Sequence, residues 1–534
     1  MYYGEVSVKS ECGVTSIADT VEKKIMITSV WPLQDGTNYS VAVWRKGETG
    51  AIFYIIIVRL FSTTAVGAIA LFLAIVGLFN VIFSFGLGTA AQHFTSYNLG
   101  NGNYASVKKT IYKIIGIGFV LAITGFISLF ITSGEISPIF LHTAKDTVFV
   151  RLLSIVLLGN ILFGVLNGAL LGLQSFRLSA IINIIIWVSY YFGSVVMVVF
   201  IRSLNTMILG WTIGIFLGVT IELIAILRMV HNFHGSGSAP SGNALIKYSF
   251  PVLLSGLIGY GSAYADRFVV AGLLSLSSLG VYNFALLISS SIAFIAVPFN
   301  NILMPKFSEL FGRGSRNEIS EHVRASTLLL SSIYVPAALG IAALSPLIIG
   351  LFGGSNYAGG NLPLSIIMFF SALFISQTIL VQAIASVRKT KLFIYSSAAA
   401  LSSNVILSVI LIPRFDLIGA AIGFSSVYAA SFFVMYAFSL REKIVSFDIF
   451  GFAKVWIATA IMFLAVLAVE NFFEASMHLG IVLLPFYIIM GALIYIICAR
   501  FFKLFNSENK DVVLSLFPEN HPTIRKLISI FVLH

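Results

Sequence analysis

A chain of 534 residues that is 58% hydrophobic and only 10% charged has too few polar side chains to cover a water-soluble globule of its length. This composition excludes a soluble protein and indicates one whose solvent is the lipid bilayer. The formal net charge of +11 is not evidence for nucleic-acid binding, because most Lys and Arg residues lie in the connections between apolar stretches.

About fourteen apolar stretches follow one another, each close to the roughly 20 residues that a helix needs to cross a bilayer. The predicted helices lie at 51–65, 66–92, 111–132, 149–171, 179–201, 205–227, 246–273, 280–304, 325–351, 362–386, 392–412, 417–439, 449–469 and 480–502. We therefore expect an all-α polytopic membrane protein.

The first of these stretches is incomplete. Arg45, Lys46 and Glu48 interrupt the segment that should supply its first half. Residues 1–50 are mixed and polar and have no secretory signal of the usual charged, apolar, small-residue form. We interpret residues 1–48 as a misread start of the gene or as a cytoplasmic segment unrelated to transport.

Lys and Arg crowd into every second connection between the predicted helices. The rich set holds Lys108, Lys109, Lys113, Arg177, Arg228, Lys247, Lys306, Arg313, Arg316, Arg324, Arg388, Lys389, Lys391, Arg441, Lys443, Lys454, Arg500 and Lys503, and the poor set only Arg59, Lys145, Arg151, Arg202 and Arg414. Because the loops are short, this bias predicts that the rich set is cytoplasmic. We expect a multi-pass protein of the cell (plasma) membrane with both termini in the cytoplasm.

An internal repeat with an offset of about 212 residues divides the chain. The stretch RLFSTTAVGAIALFLAI around Gly67 is echoed by VAGLLSLSSLGVYNFALLI around Gly280. In each copy one helix ends at a Ser/Thr-rich turn and glycine opens the next. Both copies enter from the same side, so the repeats are parallel, and their axis along the membrane normal places a cavity between the two halves.

The repeat predicts two parallel six-helix lobes, an N-lobe over 51–228 and a C-lobe over 246–440. A flexible Gly/Ser-rich cytoplasmic linker over 229–245 joins them. Helices 13 and 14, over 441–502, form an appendage, and 503–534 form a cytoplasmic tail. Prolines concentrate in the C-lobe, where we expect kinks at Pro251 and Pro298.

Three segments carry a resemblance to a known family. They are PVLLSGLIGYGSAYADRFVVAGLLSLSSLGVYNFAL, LMPKFSELFGRGSRNEISEHVRAS and IPRFDLIGAAIGFS. Together they resemble the polysaccharide, or O-antigen-type, flippase family, which belongs to the superfamily of the multidrug and toxic-compound extrusion transporters and the lipid II flippase. The resemblance covers most of residues 51–502, and it departs from the family at the incomplete first helix.

The resemblance implies a V-shaped, two-lobed carrier like the multidrug and toxic-compound extrusion transporters. Such a carrier would move a lipid-linked oligosaccharide, on a polyprenyl or dolichyl diphosphate, from the cytoplasmic to the outer leaflet by alternating access. The expected partners are this lipid-linked oligosaccharide, membrane lipids and glycan-assembly enzymes, without nucleic acid, and the expected state is a monomer.

Enzymatic signatures are scarce. The sequence has no GxxxxGK[ST] phosphate loop, no HExxH and no paired-aspartate motif, and its two cysteines, Cys12 and Cys498, provide neither a disulfide framework nor a metal cage. We expect a transporter without catalytic residues, metal site or cofactor beyond a coupling ion, H⁺ or Na⁺. Two alternatives stay open: an ion-coupled multidrug antiporter of the same superfamily, and a membrane polysaccharide polymerase or ligase, which would need a large outer loop.

Asp266 and Arg267 are the strongest candidate site residues, because charges at membrane depth are costly. Neighbours on a helix point about 100° apart, so the two side chains cannot pair well with each other. One interpretation makes Arg267 a contact for substrate phosphate and Asp266 its orienting or ion-coupling partner. The other is a structural ion pair between helices.

The remaining candidates are weaker. Arg59 lies at the predicted outer end of the first helix, where it could contact substrate or simply snorkel to the interface. Glu222, on the sixth predicted helix, could bind a coupling ion or lie at a water-accessible helix end. Asn283, Asn300 and Gln377 could bind sugar hydroxyls in the cavity, or could hold helices together.

Overall fold

The computed structural model describes residues 53–141, 147–313, 316–387, 391–441, 449–477 and 482–504. In chain order its helices are α1 (53–60), α2 (Thr63–Ser84), α3 (Leu87–Gly100), α4 (Tyr104–Leu141), α5 (Thr147–Gly172), α6 (Phe176–Phe200), α7 (Leu204–His231), α8 (Gly242–Leu273), α9 (Leu276–Ser291), α10 (Val297–Gly312), α11 (Arg316–Ala343), α12 (Ser345–Gly353), α13 (Asn361–Ser386), α14 (Lys391–Arg441), α15 (Ile449–Met477) and α16 (Leu484–Phe501). The predictions for residues 1–48 and for the tail lie outside the described residues.

The described part of the chain is all-α, as predicted, and contains no strand. Eleven of its helices are long and apolar enough to cross a membrane. Because backbone polar groups in lipid must be satisfied within the segment itself, helices are the form in which such apolar runs cross a bilayer. The prediction of an all-α polytopic membrane protein is therefore confirmed.

The long helix α14 is a hairpin of two antiparallel helices. Asp416 has a φ of 49° and a ψ of −126°, which reverses the chain direction there. A Cβ on Gly423 would lie 3.0 Å from the backbone nitrogen of Ser408, so the two arms pack closely. This hairpin corresponds to the predicted helices over 392–412 and 417–439.

Two predicted helices are each broken in the middle. The predicted helix over 66–92 separates into α2 and α3, because Phe85 and Gly86 adopt left-handed φ values of 50° and 66°. The predicted helix over 280–304 separates into α9 and α10 around a 3₁₀ turn at Ile292–Ile295. Pro298 lies in the first turn of α10, directly after this break, whereas α8 continues without interruption past Pro251.

The helices pack in two groups, for which we keep the names N-lobe and C-lobe. In the N-lobe α7 packs on α5 and α6, and α4 packs on α5. In the C-lobe α14 packs on α8 and α13, and α11 packs on α13. Helices α15 and α16 are attached to this group through α11. The two groups meet chiefly along α2 and α3, which contact α8 and α9.

The linker between the lobes is fastened to the N-lobe. Three lysines in the first turns of α4 donate hydrogen bonds to its carbonyls: Lys108 to His231 (2.9 Å), Lys109 to Gly237 (2.7 Å) and Lys113 to Pro240 (2.8 Å). The backbone nitrogen of Ser238 also donates to the hydroxyl of Ser106 (3.1 Å). The sequence predicted a flexible linker from its Gly and Ser content. These bonds hold the linker against α4 in this structure, and its flexibility stays a prediction. We call the end of the bundle that carries these lysines the basic end.

Candidate functional site

Arg267 lies on α8, six residues before the helix ends at Leu273, or about 9 Å from that end at about 1.5 Å per residue. Its Nη1 donates to the carbonyl of Ala263 (2.6 Å) and its Nε to Oδ1 of Asn283 on α9 (3.3 Å). The side chain is 14% exposed. Arg267 is therefore held in place while part of its side chain stays accessible.

An aromatic column continues from Arg267 along α8. The guanidinium carbon lies 4.3 Å from the ring centre of Tyr264, in a cation–π contact. The ring of Tyr264 stacks on that of Tyr260 at 4.5 Å with 11° between the planes. The hydroxyl of Tyr260 donates to the carbonyl of Ala74 on α2 (2.6 Å). The spacing of these residues, i, i+4 and i+7, brings them onto one face of the helix.

Gly77 of α2 provides the space in which Tyr260 lies. A Cβ at this position would lie 2.8 Å from two carbon atoms of the Tyr260 ring. The column therefore runs from α2 of the N-lobe to Arg267 of the C-lobe.

Asp266 contacts Tyr282 of the C-lobe through one carboxyl oxygen and lies beside Arg267 with the other. It is fully buried, and its Oδ2 accepts a hydrogen bond from the Tyr282 hydroxyl of α9 (2.7 Å). Its Oδ1 lies 3.8 Å from Nη1 of Arg267, which is too far for a hydrogen bond. The adjacent side chains thus form an ion pair at 3.8 Å without a hydrogen bond between them.

Tyrosines of the N-lobe lie close to this group. Tyr54 of α1 and Tyr191 of α6 are close enough to Tyr264 to interact electrostatically, and Tyr54 is also close to Arg267. All four side chains are only partly buried. Tyrosines of the N-lobe and Arg267 of the C-lobe are therefore close enough to one another to form a single group of residues across the contact between the lobes.

Arg59 joins the lobes at the end of the bundle opposite the basic end. From the last turn of α1 its Nε donates to the carbonyl of Phe352 (2.8 Å), and its Nη2 donates to the carbonyl of Leu351. These carbonyls belong to the last turn of α12, where a cation is favourable. The structure thus gives Arg59 a binding partner in the C-lobe and does not connect it with the Arg267 group.

The other candidate residues lie apart, with one exception. Asn283 contacts Arg267 directly and is 5% exposed. Gln377 is half-buried on α13, and no hydrogen bond in the described residues links it to Arg267. Asn300 lies on α10, and its side chain lies outside the described part of the structure. Glu222 is fully buried on α7, so it is not at a water-accessible helix end in this conformation.

Sequence reasoning missed the tyrosines. Tyr54, Tyr191, Tyr260, Tyr264 and Tyr282 all surround the charged pair. A signal was present only on α8, where Tyr260, Tyr264 and Arg267 have helical spacing.

No group of three or more His, Cys, Asp or Glu side chains among the described residues could hold a metal ion.

Comparison with known proteins shows that the chain is similar to proteins of glycan and polysaccharide biosynthesis. It is 22% identical over 375 residues to the probable low-salt glycan biosynthesis flippase Agl15 of Haloferax volcanii, which covers 70% of this chain and 76% of that protein. A family model described as polysaccharide biosynthesis protein matches residues 56–360.

Solved structures share the fold. The lipid II flippase MurJ in an inward closed conformation superposes with a TM-score of 0.69 at 16% identity, over 87% of this chain and 98% of that one. An inward-facing multidrug resistance transporter gives 0.59 at 14% identity, over 79% and 97%. A superfamily member from Pyrococcus furiosus gives 0.56 at 13% identity, over 76% and 95%. With more than half of its length matched by the family model, the chain belongs to the polysaccharide biosynthesis protein family.

Proposed function

We propose that this protein is a flippase that moves a lipid-linked oligosaccharide, carried on a polyprenyl or dolichyl diphosphate, across the cell membrane. The observation that carries the proposal is the state of Arg267: a guanidinium at membrane depth, partly exposed between the lobes and without a carboxylate at hydrogen-bond distance. Membership of the polysaccharide biosynthesis family and similarity to a probable glycan flippase support the same substrate class.

The chemistry of Arg267 suits a diphosphate. A diphosphate that crosses a low-dielectric path needs a counter-charge, and a guanidinium provides one in a forked geometry without losing its proton. Tyr264 and Asn283 hold the side chain from two directions, which reduces the entropy lost when it binds an anion. Arg267 therefore binds the diphosphate in this proposal, and Asn283 orients the Arg267 side chain.

The surrounding phenols suit the glycan. Tyr54, Tyr191 and Tyr264 place phenol groups close to Arg267 or to one another. Hydroxyl groups of this kind bind sugar hydroxyls, and ring faces accept the apolar face of a pyranose. A sugar joined directly to the diphosphate would lie against these tyrosines.

Transport requires the lobes to expose the site around Arg267 alternately to the two sides of the membrane. We place the basic end in the cytoplasm, so that the glycan moves from the inner to the outer leaflet. Asp266, buried behind Tyr282, is our candidate for binding a coupling ion, H⁺ or Na⁺. The protein acts in this scheme as a transporter and catalyses no bond change.

A multidrug antiporter of the same fold is the competing function. A site for cationic drugs needs a carboxylate that faces the space between the lobes. Of the two charged side chains at this site, Arg267 is partly exposed, whereas Asp266 is fully buried. The charge at the site therefore favours an anionic substrate over a cationic drug.

Depletion of the protein in its native host tests this proposal. We expect lipid-linked glycan to accumulate in the inner leaflet and surface glycan to fall, with no change in sensitivity to cationic dyes. Unchanged surface glycan together with increased dye sensitivity would support the antiporter instead.

A further inference from the structure

Glu222 is buried in the N-lobe and has no hydrogen-bond partner among the residues that the structure describes. Both of its carboxyl oxygens are enclosed and have no hydrogen bond in the described part of the chain. Its side chain has no exposed surface. A buried polar group in a protein normally has a partner, so this carboxyl needs an explanation.

Its position on α7 explains the burial. Gly210, Gly214 and Gly218 face α6 at such short range that a Cβ at each would overlap or press on Ser194, Tyr190 and Ile186. Glu222 is the next residue at this spacing of four, so it lies on the same close-packed face. The antiparallel register puts it opposite Ile182, which is 1% exposed.

The polar side chains nearby are already paired with one another. The hydroxyl of Ser179 donates to Oδ1 of Asn167 (2.7 Å), and Asn183 donates to the carbonyl of Ser179 (2.8 Å). They leave no set of free oxygens that could surround a metal cation, which needs several oxygen ligands. The site is therefore suited to a neutral carboxyl group, and not to a carboxylate with a bound metal ion.

Charged groups on the surrounding helices do not neutralise Glu222. Arg228 on α7, Arg177 on α6 and Lys113 on α4 all lie toward the basic end of their helices, and none of them forms an ion pair with Glu222 in the described structure. Lys113 donates to Pro240 of the linker. Helix α5 carries no charged residue beyond Arg151, near its far end. Tyr190, further along α6, stacks on Trp211 and points elsewhere.

We infer that Glu222 is a proton-binding site, protonated in this conformation and separate from the space between the lobes. Its loss of a proton leaves a carboxylate that the dry contact between α6 and α7 cannot solvate, so the ionised form requires these helices to part. From Glu222 to His231 at the basic end is nine residues, about 14 Å, which gives the released proton a short path to water there. Proton binding and the packing of α7 are thereby linked.

Infrared spectroscopy of the full-length protein in lipid nanodiscs tests the site without any substrate. At neutral pH, where exposed carboxyls are ionised, we expect the C=O stretch of a protonated carboxylic acid in the unmodified protein and its loss in Glu222→Gln. Glu135→Gln removes an exposed carboxyl of α4 and should leave the band unchanged. Because Asp266 can contribute to the same region, the difference spectrum between the protein and Glu222→Gln is the decisive quantity.

Glu222→Met provides a second variant, since an apolar side chain of similar length suits the same packing. We expect it to fold, to keep its melting temperature between acidic and neutral pH, and to lack the band. Identical spectra for the unmodified protein and either folded variant would overturn the inference. Because no glycan is present, this result is independent of the proposed flippase activity.

Discussion

Gly67 of α2 and Gly280 of α9 pack backbone against backbone where the two lobes meet. A Cβ on either residue would lie 2.9 Å from the backbone nitrogen of the other, and it would overlap a carbonyl of the facing helix, that of Leu276 or Thr63. Beside them Oγ1 of Thr63 lies 2.7 Å from Oγ of Ser277. These glycines hold corresponding positions in the internal repeat of the sequence, which predicts that a pseudo-twofold axis passes close to this contact.

We predict that Gly280→Ala forces α2 and α9 apart, because the atoms in the way belong to the backbone and cannot rotate aside. Overpacking of this kind destabilises a protein by about 1–3 kcal/mol. A disulfide between cysteines at Thr63 and Ser277, in a background without Cys12 and Cys498, should form readily and then be lost in Gly280→Ala. Gly116→Ala is the control, since nothing lies within 4 Å of its Cβ position. Undiminished crosslinking in Gly280→Ala would contradict the close contact.

A second prediction concerns Arg59, which caps the last turn of α12 across the lobe interface. Arg59→Ala leaves these carbonyls without their charged donor, and loss of such a bond costs about 1.5–3 kcal/mol. We expect a lower melting temperature in detergent and partial recovery in Arg59→Lys, which keeps one donor group.

Arg202 is an exposed arginine at the same end of the bundle and provides the control. Arg202→Ala should not change the melting temperature. If Arg59→Ala melts normally but fails to bind the glycan, the residue contacts substrate and the interlobe cap is unimportant.

The fastened linker gives a third prediction. Replacing Lys108, Lys109 and Lys113 together by Ala removes three bonds to the linker carbonyls. Proteinase K should then cleave within residues 232–241 faster than in the unmodified protein. Lys247→Ala, which removes an exposed lysine of α8, should leave the rate unchanged. Equal cleavage in all three proteins would mean that the lysines do not hold the linker.

The orientation of the bundle is a fourth prediction. Ser236 is exposed in the linker at the basic end, and Arg202 is exposed at the opposite end. In intact cells an impermeant maleimide should label Arg202→Cys and not Ser236→Cys, both in a background without native cysteines, because Lys and Arg favour the cytoplasmic side. The reverse labelling pattern would invert the direction of transport proposed for the glycan.

Much of the fold could be predicted because hydropathy is a local property. The repeat around Gly67 and Gly280 and the hairpin at Asp416 were both visible as sequence patterns. The break at Phe85 was not, because a left-handed non-glycine residue has no sequence signature and is tolerated only where the surrounding packing enforces it.

The site was harder to predict, because its contacts join residues that are far apart in sequence. Arg59 contacts a carbonyl 293 residues away, and Tyr260 contacts one 186 residues away. Such pairs depend on how the lobes are placed against each other, which hydropathy does not encode. Asp266 and Arg267 were identified from charge alone, whereas the uncharged tyrosines around them resembled ordinary apolar positions.

The central claim is that Arg267 binds the diphosphate of a lipid-linked glycan. The most direct measurement is flipping of a lipid diphosphate oligosaccharide by the purified protein in proteoliposomes, with Arg414→Ala as an exposed arginine control in the same lobe. We expect Arg267→Ala to slow flipping by about tenfold or more, as loss of a charged hydrogen bond of about 1.5–3 kcal/mol implies. Arg267→Lys should recover part of the rate. Flipping at the unmodified rate by folded Arg267→Ala would contradict the account.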